Sequence, residues 1–140
     1  MRILPLLSLT ACLLFHTAPG VAADLRIKVA GIEDQKGQVR VALFTSAEDF
    51  AADRQQAGYF ELVAGGSIEV VFTGLAPGRY GITLFHDENG NEKLDTNLVG
   101  LPTEPFGFSR DARGSFGPPK FDDFALEIGT ENVAVEISLQ

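Results

Sequence analysis

Hydrophobic residues recur at every second position through most of the chain from residue 25 onward. Leu25, Ile27 and Val29 share one parity, with Arg26 and Lys28 on the other. Val39, Val41 and Leu43 repeat the pattern opposite Gln38 and Arg40. Ile68, Val70 and Phe72 do so opposite Glu69 and Thr73, and Tyr80, Ile82 and Leu84 follow. Near the end, Phe124, Leu126 and Ile128 align, as do Val133, Val135, Ile137 and Leu139. A period of two with one apolar parity marks strands that bury one face. Segment 59–63 is a weaker candidate. The pattern predicts an all-β fold: an antiparallel β-sandwich of about seven strands, of immunoglobulin or prealbumin-like type.

Only SAEDFAADRQQ, residues 46–56, reads as helical, with Ser46 as N-cap and Asp49 three residues on. In GLAPGRY, residues 74–80, Pro77 and Gly78 set a turn and Tyr80 opens the next strand. Tyr80 is either a core aromatic alone or a tyrosine corner whose hydroxyl bonds back to the turn. Residues 87–122 show no clear period. A loop of that length in a compact domain is ordered for function or disordered. The density of Phe106, Phe108, Phe116 and Phe121 within it predicts order, with the rings pinning the loop down.

The first residues change the compartment rather than the fold. Arg2, an apolar run and Val21-Ala22-Ala23 have the anatomy of a secretory signal peptide over residues 1–23. The expectation is an exported protein, periplasmic or extracellular, with one domain over 24–140. A lipoprotein box, Leu9-Thr10-Ala11-Cys12, is the rival reading and would anchor the chain through Cys12. Removing 23 of 140 residues leaves 117, takes away Arg2 and no acid, and moves the net charge from −8 to −9. It also removes the single cysteine, so a disulfide framework is excluded. The acidity argues against nucleic acid as a partner. The apolar run is too short and interrupted for a membrane span.

The chemistry concentrates in HDENGNEKLDTN, residues 86–97. Asp87, Asn89 and Asn91 occupy positions one, three and five of a calcium loop. Lys93 falls at seven, where only a carbonyl is needed, and Asp95 at nine. These hard oxygen donors suit Ca²⁺ rather than zinc. Two positions depart from the pattern: Glu92 stands where a glycine makes the sharp turn, and Leu98 where a bidentate glutamate closes the site. Glu104 or Asp111 folding back is one way to supply the missing carboxylate. The competing reading is a metal-free turn in which Asp and Asn side chains bond their own backbone. His86 shares the face of Ile82 and Leu84 and reads as a half-buried structural histidine. A small hydrolase using His86 with a loop carboxylate or Ser109 is the alternative, although FGFSRD lacks a nucleophile elbow. Phe106, Phe108, Arg110 and Arg113 form either a face for a protein or small-molecule partner or a set of pins, with the arginines pairing the acidic stretch.

GLAPGRYGITLFHDENGNEKLDTN, GLPTEPFGFS and GPPKFDDFAL together resemble the bacterial family called domain of unknown function 2141, over about residues 25–139. The resemblance implies a secreted or periplasmic single-domain protein and no established activity, substrate or catalytic residue. The family pattern commonly has glycine at position 92, from which Glu92 departs. GLAPGRY also resembles the corner of prealbumin-like and collagen-adhesin-B-type sandwiches, which are noncatalytic. The leading expectation is thus a noncatalytic exported module holding Ca²⁺ in its loop. A purely structural or accessory envelope domain without a ligand stands beside it.

Overall fold

The computed structural model describes residues 21–63 and 66–140. The expected leader, apart from residues 21–23, and Cys12 lie outside them. Eight strands form two sheets, and two short helices connect strands of the second. The first sheet has β1 (Ala23–Ala30) in the centre, flanked by β4 (Ile68–Leu75) and β8 (Val133–Ser138). The second sheet runs from β3 (Ala57–Leu62) through β2 (Gln38–Phe44) to β5 (Gly78–Asp87). The far edge of β5 is shared by two short strands. β7 (Ala125–Ile128) pairs with its beginning and β6 (Phe106–Phe108) with its later half.

The pairing is antiparallel except between β1 and β8, which run parallel with Leu25 opposite Val133. Period-two alternation fixes which face is buried but not strand direction, so this exception was not visible in the pattern. Except at Phe124, which precedes β7 and belongs to a separate aromatic cluster, the predicted apolar parities pack between the sheets. Leu25, Ile27, Val29, Val39, Leu43, Ile82 and Ile137 are fully buried there. Of the two readings of Tyr80 the structure has the tyrosine corner: its ring joins this core and its hydroxyl donates to the Ala76 carbonyl at 2.8 Å.

Helix α1 (Ala47–Ala51) begins at Ser46, whose hydroxyl accepts the Asp49 N–H at 3.0 Å and donates to the Asp49 carboxylate at 2.8 Å. It is shorter than the 46–56 pattern, and Asp53 turns the chain with φ 52°.

Residues 87–122 are less featureless than the sequence suggests. They contain β6, a 3-10 turn over Ser109–Asp111 and the start of α2 (Phe121–Phe124). A three-residue strand and one helical turn are too short to show a period. They cover the outer face of the second sheet at one end. There Phe44, Phe108, Phe121, Phe124 and Ala125 make a second core, with Phe50 packed against it. The rings meet edge to face, Phe50–Phe124 at 5.0 Å and Phe108–Phe124 at 5.1 Å. Phe108 and Phe121 therefore pin the loop as expected, and Phe106 is half-buried. Phe116 does not: it is fully exposed. Gly81 lies beneath this cluster, where a Cβ would run into the rings of Phe121 and Phe124.

Candidate functional site

The acidic loop leaves the end of β5, and its first residue organises it. Asp87 is fully buried. It pairs directly with Gln38 across the β2–β5 ladder, and Arg40 lies two residues further along the same outer face. One carboxylate oxygen, Oδ2, accepts from the Gln38 amide at 2.9 Å, Arg40 Nε at 3.3 Å and the Glu92 N–H at 2.9 Å. The other, Oδ1, accepts the Asn91 N–H at 3.0 Å. Burial pushes this carboxyl's pKa up. The Gln38 amide and the N–H groups of Glu92, Asn91 and Gly90 outweigh it, and the pKa lies below the ordinary carboxylate value.

Successive Asx turns carry the chain onward. Asn89 Oδ1 accepts the Asn91 N–H and Asn91 Oδ1 accepts the Lys93 N–H, each at 2.9 Å. The amide nitrogens of Asn89 and Asn91 donate to the two oxygens of Asp95, at 2.6 and 2.9 Å. Asn89, Asn91 and Asp95 are thus brought face to face, above the backbone that Asp87 holds. Lys93 continues the loop, its N–H engaged by Asn91.

Both departures from the calcium pattern have a structural counterpart. Glu92 adopts φ 67°, the left-handed conformation that a glycine supplies at position six. Arg40 helps hold it there, with one guanidinium nitrogen 2.9 Å from the Glu92 carboxylate. Glu104 folds back and is buried. Its oxygens accept the N–H groups of Glu88 and Asp95, both at 3.0 Å, so it clamps the two ends of the loop. Asp111 instead accepts the Ser138 N–H. Among the described residues no three His, Cys, Asp or Glu side chains are gathered as a metal cluster. The donors available in the loop are two carboxylates, two side-chain amides and a carbonyl. These are hard oxygen ligands of the kind Ca²⁺ takes; in the structure the asparagine oxygens and both Asp87 oxygens accept hydrogen bonds.

Sequence reasoning missed Gln38, Arg40 and Gly37. Gly37 has φ 67°, and a Cβ there would collide with the backbone of Asp87 and Glu88. The signal existed in the alternation: Gln38 and Arg40 share the polar parity of a strand whose other parity is core. The β2–β5 register that brings them to Asp87 was not legible.

His86 is fully buried rather than half-buried. Its Nε2 lies 2.6 Å from the Lys36 carbonyl, and among the described residues its Nδ1 has no hydrogen-bond partner. Ser109 is also buried, in the 3-10 turn beside Ile82, which is four positions from His86 along β5. Its hydroxyl accepts the Ile82 N–H at 3.1 Å and donates to the Phe124 carbonyl. The two side chains do not meet, and each is engaged by backbone. The acidic stretch takes its ion pairs from Arg40; among the described residues neither Arg110 nor Arg113 forms one with it.

Glu92 and Lys93 also border a wider feature. Two open cavities of about 510 and 570 Å³ share Phe44, Asp53, Thr83, Phe85 and Glu92 in their lining. Together they form a trough across the part of the second sheet's outer face that the phenylalanine cluster leaves uncovered.

A family model matches residues 27–136 and is described as an uncharacterized protein conserved in bacteria (DUF2141). The chain belongs to that family. Searches of the curated proteins and of the solved structures give no match.

Proposed function

We propose that this member of an uncharacterised bacterial family is an exported, noncatalytic binding module. In this reading its 87–95 loop takes up Ca²⁺ through Asp87, Asn89, Asn91, Asp95 and the Lys93 carbonyl. The stiffened loop then forms one wall of the trough that receives a partner. The observation that carries the reading is the approach of Asn89, Asn91 and Asp95 to one another while Glu92 takes the glycine-like turn. Two carboxylates are a small charge for such a site, and Arg40 stands beside one of them. Affinity is therefore expected to be weak, on the order of 10⁻⁴–10⁻³ M, as in extracellular modules.

Asp95 is the residue to test, because Asp87 is a structural carboxylate whatever else it binds. At about ten times the dissociation constant, Ca²⁺ stabilises the folded state by about 1.4 kcal/mol. For a domain of this size that raises the melting temperature by roughly 5 °C. The shift is expected for the wild type against chelator, and its loss for Asp95→Asn. A wild type that melts identically in Ca²⁺ and chelator removes the ion from the account.

A further inference from the structure

Strand β3 is the edge of the second sheet, and among the described residues its one paired neighbour is β2. The Val63 N–H donates to the Gly37 carbonyl at 3.2 Å. That bond fixes the phase of the ladder. Odd-numbered residues of β3 bond to β2, and Gly58, Phe60 and Leu62 turn their N–H and C=O groups to the free edge. Proteins usually guard such an edge with lysine, proline or a bulge. AGYFEL has none of these and a single acid, Glu61. Instead it exposes apolar bulk: Phe60 is 60% and Leu62 70% exposed, and Tyr59 39%.

We propose that β3 is a homodimer edge, on which a second copy of the chain pairs antiparallel about Phe60. The choice of a second copy rests on self-complementarity. With Phe60 opposite itself, Gly58 stands opposite the partner's Leu62; the Gln55 amide, 3.3 Å from where a Gly58 Cβ would sit, is a flexible side-chain end that the leucine displaces. Tyr59 stands opposite the partner's Glu61. Within one chain the Tyr59 hydroxyl already donates to Glu61 at 2.8 Å, so the same donor and acceptor are presented across the pair. Arg40 packs over the Phe60 ring, 5.5 Å from its centre, and holds it on the outer face. Pairing joins the two second sheets into one continuous sheet and sets the two troughs side by side. Each chain carries a net charge of −8, so association tightens as salt screens the repulsion.

The test is sedimentation of the purified protein across a concentration series up to about 1 mM. The expected result is a reversible monomer–dimer equilibrium that strengthens with ionic strength. Phe60→Glu and Leu62→Lys are each expected to weaken it at least tenfold while leaving the circular dichroism melt unchanged. Cysteine cross-linking, in a background with Cys12→Ser, supplies the geometry. Residues directly opposite at a hydrogen-bonded position lie about 5.5 Å apart, within disulfide reach. Phe60→Cys should therefore form a covalent dimer on mild oxidation, and Glu48→Cys should not. A protein monomeric throughout the series overturns the proposal. So does a dimer indifferent to both charge substitutions, or one in which Glu48→Cys cross-links as readily as Phe60→Cys.

Discussion

Asp87 carries more of the local structure than any other polar residue of the loop. It is fully buried and satisfies two side chains from β2 and two backbone N–H groups from the turn it opens. Replacing it by alanine leaves Gln38 without its acceptor and Arg40 with only the exposed Glu92 carboxylate. The expected loss is about 3 kcal/mol or more in urea unfolding, and added Ca²⁺ should not restore it. Its depressed pKa gives the pH dependence a definite sign. The carboxyl of an unfolded chain titrates at about 3.9, above the folded value. The stabilisation is thus complete at higher pH and lost as pH falls through the folded pKa. The urea midpoint of wild type should be level near neutrality and drop in acid, and Asp87→Asn should remove part of that drop. An Asp87→Asn profile parallel to wild type would show that another group governs acid sensitivity. The oxygen spacing of the loop was legible in the sequence because its members lie within nine residues. Gln38 and Arg40 sit 49 and 47 residues from Asp87, and only the strand register unites them.

At the scale of elements, the second sheet owes its covering to the phenylalanines of β6, α1 and α2. Phe124 is at their centre, touching Phe50, Phe108 and Phe121 edge to face, and is fully buried. Phe124→Ala should cost about 3–5 kcal/mol, and amide exchange should quicken through residues 106–124 before the rest. Gly81→Ala places a methyl group where two of those rings lie and should cost about 1–3 kcal/mol by overpacking, read from the same unfolding curves. The strands and their buried parities were legible because each runs for several alternations. So was the Ser46 cap of α1. The elements inside 87–122 were not: β6 has only Phe106 and Phe108 to alternate, and α2 is a single turn. Phe116 shows the limit of reasoning from aromatic density: it is fully exposed, beside Gly117 at φ 142°.

At the scale of the molecule, the two sheets and the two clusters between and outside them serve one end. They present a braced loop and a trough on the same face, and among the described residues no helix is long and apolar enough to cross a membrane. Asp87 anchors the loop to β2, Glu104 ties its ends together, and Glu92 carries it into the trough wall. Calcium uptake by the loop is the claim on which the proposed role turns. A Ca²⁺ titration followed by backbone amide chemical shifts tests it residue by residue. The prediction is saturable movement of the Asn89, Asn91, Lys93 and Asp95 amides at millimolar Ca²⁺, absent in Asp95→Asn. Amides of 87–95 that stay in place to about 10 mM, or that move equally in the variant, would contradict it.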